Sequence, residues 1–117
     1  EFPDLIKHIK DVAQTYKLKR IYVEPKGSGL SLVQQLRRET RLNVVELPAP
    51  DTDKELRINT ISPIVEGGRI ILIDGIWVKD FIDECSNFPL AAHDDMVDCL
   101  EMAVSKNLKE KKFNYIM

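Results

Sequence analysis

Cysteine and histidine are scarce in this chain. Cys85 and Cys99 are embedded in apolar helical patterns, with no CxxC spacing and only two histidines to accompany them. That argues against a zinc site and suits reduced thiols in a cytosolic protein. No apolar run reaches transmembrane length and no segment has signal-peptide character, so no membrane partner is expected. A basic excess is also missing. The net charge is −2 and the pI about 5.7, so a nucleic-acid role must rest on local features. There is no internal repeat, no low-complexity stretch and no GxxxxGK[ST] phosphate loop. In Lys26-Gly27-Ser28-Gly29 the lysine precedes the glycines instead of following them, although a turn into a helix N-terminus can still meet a phosphate through backbone N–H groups.

What remains is a chain of 117 residues, 44% apolar and 31% charged, which is enough for one globular domain with a real core. Leu5, Ile6, Ile9, Val12, Ala13 and Tyr16 recur at helical spacing, with Asp4 available as a cap. Ile21-Tyr22-Val23 reads as a short buried strand closed by Glu24, and Pro25 to Gly29 as a turn. Helical periodicity returns from Leu30 to Arg41, and 43–47 reads as a second strand. A helix is predicted over 51–65, stopped by Gly67-Gly68. A third strand is predicted over 69–73, a helix over 76–86, and a last helix over about 93–109. Residues 1–108 are read as a domain and 109–117 as a loosely ordered tail. Strands alternating with helices argue an α/β fold with mostly parallel pairing. Three strands are few for an independent sheet, and an unpaired edge leaves room for self-association.

The densest chemistry lies in His93-Asp94-Asp95-Met96-Val97-Asp98, which packs three carboxylates into five residues. Asp94 and Asp98 share a helix face, as do Asp95 and Asp98. The acids repel one another, and a divalent cation would relieve the repulsion through hard oxygen ligands. The plainer reading is an acidic first turn complementing the helix dipole. Asp94, Asp98 and Glu101 form one stripe, with Asp95 to one side. Glu24 stands at the carboxyl end of a predicted strand, the edge at which open α/β sheets bind ligands; it could equally be a solvated strand end. Lys54 and Arg57 share a helical face, as phosphate contacts or as an ion-pair row. His93 could be a ligand, a proton shuttle or a structural residue.

Taken in order, these segments resemble the C-terminal nuclease domain of tailed-phage terminase large subunits, from about residue 3 to 104. The resemblance is carried by Ile21 to Gly29, Asp53-Lys54-x-x-Arg57, Ser62-Pro63-x-x-Glu66-x-Gly68-Arg69, Asp80-Phe81-x-x-Glu84, Phe88-Pro89 and His93-Asp94-Asp95-x-x-Asp98. It implies a ribonuclease H-like fold, here lacking the N-terminal strands and the first acid of the complete domain. It implies an endonuclease that cuts double-stranded concatemeric DNA with two Mg2+ or Mn2+ ions, in the cytoplasm of an infected or lysogenic bacterium. Glu24, Asp94 and Asp95 would be the catalytic metal ligands. Asp98 belongs to the motif without a catalytic role, and Lys26, Lys54 and Arg57 would contact the DNA backbone. A terminase small subunit and a portal would be partners of the intact protein. With the first acid absent, weak metal binding and little or no cutting are expected of this chain alone. Two rivals stand beside this reading: another ribonuclease H-like nuclease of resolvase or transposase type, and a non-catalytic α/β module that binds a protein partner.

Overall fold

The first helix, α1 (Phe2–Tyr16), forms because Ile6, Ile9 and Ala13 return to one side every three or four residues, and Ile6 and Ala13 are buried. It starts before the cap expected at Asp4. Pro3 sits in the first turn, where its missing N–H is no loss, and Asp4 adds a negative charge to the same turn. The helix ends through Lys17, which adopts a left-handed φ of 52°, and the Leu18 N–H bonds back to the Ala13 carbonyl at 3.0 Å. This six-to-one bond is a Schellman-type stop, usually built on glycine. These features belong to a computed structural model that describes the backbone of residues 2–116 and the side chains of residues 2–107. The tail expected over 109–117 lies outside the residues described at side-chain level. The chain divides into two compact units, Glu1–Asp51 and Thr52–Met117.

In the first unit, β1 (Ile21–Val23) and β2 (Val44–Glu46) pair in parallel, with Ile21 opposite Val44 and Val23 opposite Glu46. Two further bonds extend the ladder, Ile21 N–H to Asn43 and Leu47 N–H to Val23, both 2.9 Å. Between the strands runs α2 (Ser28–Glu39). Val33 and Leu36 from α2 meet Ile6 and Val44 in the core, with Phe2, Ile9, Val23, Leu32 and Leu42 packed around them. Leu36 is fully buried, so truncation to alanine would cost roughly 2–5 kcal/mol. The turn after β1 depends on two glycines. Gly27 has φ 58° and ψ −126°, a conformation reserved for glycine. At Gly29 a Cβ would collide with the Glu24 carbonyl oxygen. The chain therefore folds back tightly behind Glu24 and enters α2 at once.

Among the described residues the second unit holds three helices. α3 (Lys54–Glu66) is capped by Asp53, whose carboxylate accepts the Leu56 N–H at 3.2 Å, and it stops at Gly67 and Gly68, the latter with φ 73°. α4 (Val78–Asn87) is followed by a cis Phe88–Pro89 bond. α5 is the helix Asp95–Ile116. Ile61, Val97 and Val104 are buried.

The strand expected over 69–73 does not form. Its side chains alternate as a strand's would, with Ile70 and Leu72 half-buried and Ile71 and Ile73 exposed. Among the described residues the sheet contains only β1 and β2. An apolar run of strand composition forms no strand without a partner's N–H and C=O groups. The observed architecture is thus mixed helix and strand, with a small parallel sheet flanked by helices. No helix among the described residues is long and apolar enough to cross a membrane.

Candidate metal centre

The acidic run emerges at the start of α5. The Asp98 N–H bonds the Asp94 carbonyl at 3.0 Å, which makes Asp94 the residue that caps the helix and Asp95 its first helical residue. One carboxylate oxygen from each of Asp94, Asp95 and Asp98 lies within 4.8 Å of the others. Asp94 and Asp98 are half-buried and Asp95 is exposed. Asp98, which the motif places without a catalytic role, is therefore a full member of the cluster.

A cation of the protein already answers these acids. Lys54, in the first turn of α3, places its Nζ 2.9 Å from Asp94 Oδ2 and 3.0 Å from Asp98 Oδ1. The hydrogen bond to Asp94 raises the lysine pKa above its usual 10.5; burial opposes this, and Asp98 adds to it. One turn further along α3, Arg57 Nε meets Glu101 Oε1 at 2.8 Å, and the other Glu101 oxygen accepts from Ser105 Oγ at 2.6 Å. Arg57 also donates to the Thr52 carbonyl. Both partners of this pair are largely shielded, with side chains 18% and 12% exposed. Lys54 and Arg57 thus face the stripe of Asp94, Asp98 and Glu101, which runs down one side of α5 at helical spacing.

The α4 helix contributes a third support. Val78, Phe81, Glu84 and Cys85 are its half-buried positions, three, four and seven apart, so Glu84 is a carboxylate on an otherwise apolar face. Trp77 and Phe81 pack edge to face with ring centroids 5.7 Å apart. Glu84 Oε2 accepts the Val97 N–H at 2.8 Å, one of the donors that the start of α5 leaves unpaired. Burial first, then the neighbouring Glu84 charge, push the Cys85 thiol up. The sequence places Glu101 on the acidic stripe and Glu84 in the Asp80-Phe81-x-x-Glu84 segment, but gives neither a supporting role at the site. A lone acid on an apolar helical face was the available signal for Glu84.

The donor set fits a divalent cation. All three ligands are hard oxygens, and one ammonium against three carboxylates leaves two negative charges, which one divalent ion balances. His93 is exposed beside the cluster. Glu24 and Lys26 lie in the first unit, in the turn after β1. Glu24 is half-buried, its carbonyl accepts the Lys26 N–H at 2.9 Å, and Lys26 is exposed.

Neither the curated proteins nor the solved structures gave a match to the chain. A family model described as the terminase RNaseH-like domain matches residues 1–107. With that match covering nearly the whole chain, the protein belongs to the terminase RNaseH-like domain family.

Proposed function

We propose that this chain is nuclease-domain sequence of a tailed-phage or prophage terminase large subunit, and that the intact protein cuts double-stranded concatemeric DNA during packaging. The observation that carries the reading is the convergence of Asp94, Asp95 and Asp98 at the start of α5, in a chain of a terminase family. Asp94 and Asp95, with Glu24, are the proposed ligands of Mg2+ or Mn2+. A divalent ion bound there supplies Lewis acidity toward the phosphodiester and the attacking water, and two-metal hydrolysis uses such sites in pairs.

The chain's own residues orient that chemistry. Asp94 and Asp98 fix the direction from which a cation is held, because Lys54 restrains both. Lys26 is the exposed cation of the three assigned to the DNA backbone. Lys54 and Arg57 reach a phosphate only by exchanging a carboxylate for it. The small subunit and the portal are the proposed partners of the intact protein, and a bacterial cytoplasm its proposed place of action.

One observation favours a second reading. The Lys54 bridge satisfies Asp94 and Asp98 without any metal, as a purely structural staple in a protein-binding module would.

The test is a Mn2+ titration followed by NMR, with Asp95→Asn as control. The nuclease reading expects paramagnetic broadening that begins at Asp94, Asp95 and Asp98 and weakens in the variant. Broadening spread evenly over surface acids, and unchanged in the variant, would favour the staple.

A further inference from the structure

We infer that Glu84 is a positioning residue for the metal site: it caps α5 in place of Asp94 and so releases the Asp94 carboxylate to the acid cluster. The inference rests on the metal-site reading given above.

An aspartate that caps a helix ordinarily turns its carboxylate back onto the N–H two or three residues into the helix. For Asp94 those donors are Met96 and Val97. Here the Val97 N–H is already bonded, at 2.8 Å, to Glu84 Oε2, thirteen residues earlier in the chain. The Asp94 carboxylate instead receives the Lys54 ammonium at 2.9 Å. Two acids thus divide two tasks. Glu84 answers the amide charge of the helix start from α4, and Asp94 stays available to a cation beside Asp95 and Asp98. The α4 helix is suited to this because it packs against α5 and carries Glu84 among the half-buried Phe81 and Cys85.

Removing Glu84 leaves the Val97 N–H without an acceptor. The nearest substitute is the Asp94 carboxylate, which needs only a side-chain rotation to make the ordinary local cap. The helix is then capped again and the fold is little affected, but Asp94 has left the cluster. This separates the inference from a merely structural role, in which stability would fall and metal affinity would follow only through unfolding.

The experiment compares Glu84→Ala, Glu84→Asp and Glu84→Gln in the full chain. Mn2+ affinity is read by electron paramagnetic resonance of the free ion, and the Val97 and Lys54 resonances by NMR. Glu84→Gln keeps an oxygen at the same reach and should bind Mn2+ within about threefold of the parent. Glu84→Asp keeps the charge but falls short of the Val97 N–H, and should lose about tenfold, as should Glu84→Ala. In both weakened variants the Lys54 ammonium signal should shift as its bond to Asp94 is released. The inference is overturned if Glu84→Asp and Glu84→Ala bind Mn2+ as the parent does, or if Glu84→Gln weakens as much as they do. Should Glu84→Ala fail to fold, the Asp and Gln variants decide between them. Absence of Mn2+ binding in the parent itself would overturn the metal-site reading, and this inference with it.

Discussion

Replacing Lys54 with methionine removes the ammonium that bridges Asp94 and Asp98, while keeping much of the aliphatic stem. Two effects of opposite sign follow. Without metal, the ion pairs at 2.9 and 3.0 Å are lost. Their members are between 28% and 43% exposed, so each pair contributes only about 0.2–1 kcal/mol. The acids left unneutralised repel one another, and the expected destabilisation is about 1–2 kcal/mol. With metal, the ammonium no longer competes for the same oxygens. A unit charge about 4 Å from another is worth about 1 kcal/mol in water, and about twice that against a divalent ion. Lysine flexibility reduces this, so affinity for Mg2+ should rise by roughly 5- to 30-fold. The assay is thermal unfolding of parent and variant across a Mg2+ series, at fixed ionic strength. The variant should start lower and gain more from Mg2+, because a ligand that binds only the folded state stabilises it by an amount that rises with the logarithm of its affinity once the site is saturated. A variant that melts lower and gains nothing from Mg2+ would refute the reasoning and leave Lys54 as a plain staple.

The same lysine predicts a pH dependence. Its pKa is raised on folding, chiefly by the hydrogen bond to Asp94, so its contribution is fully present below 10.5 and is lost as pH rises through the higher folded value. The stability gap between the parent and Lys54→Met should therefore stay constant near neutral pH and shrink only in strong alkali, as urea unfolding at a series of pH values would reveal. Gly29→Ala should destabilise the chain by about 1–3 kcal/mol, because the new Cβ meets the Glu24 carbonyl and a backbone shift must follow; a neutral change in chemical denaturation would contradict that close approach. Lys17→Gly should stabilise by about 1 kcal/mol by relieving the left-handed φ at the end of α1, and an unchanged or lower melting temperature would count against it. A thiol reagent should modify exposed Cys99 before Cys85, whose thiol is pushed up by burial; mass spectrometry of the labelled peptides gives the order.

Most of the local structure was legible because its cause is local. The apolar run that marks Ile21–Val23 and the helical spacing of Val33 and Leu36 are properties of neighbouring residues; the strand formed where expected and the helix two residues earlier at each end. The stripe of Asp94, Asp98 and Glu101, with Asp95 to its side, followed from helical geometry alone. The strand expected over 69–73 failed for the complementary reason. Its composition is local, but a strand requires a partner, which no local pattern supplies. The same limit hid the site's supports. Lys54 and Arg57 were seen to share a face, yet which acids they meet depends on how α3 packs on α5. Glu84 could be placed on an apolar face by spacing, but its bond to Val97 is a contact between helices.

The central claim is that the acids at the start of α5 hold a divalent cation. Crystals of the chain soaked in Mn2+ and measured near the manganese absorption edge test it most directly. The account predicts an anomalous peak bonded to Asp94 and Asp95, with the Lys54 ammonium withdrawn from Asp94. An empty anomalous map around these carboxylates at saturating Mn2+, with Lys54 still bridging Asp94 and Asp98, would contradict it.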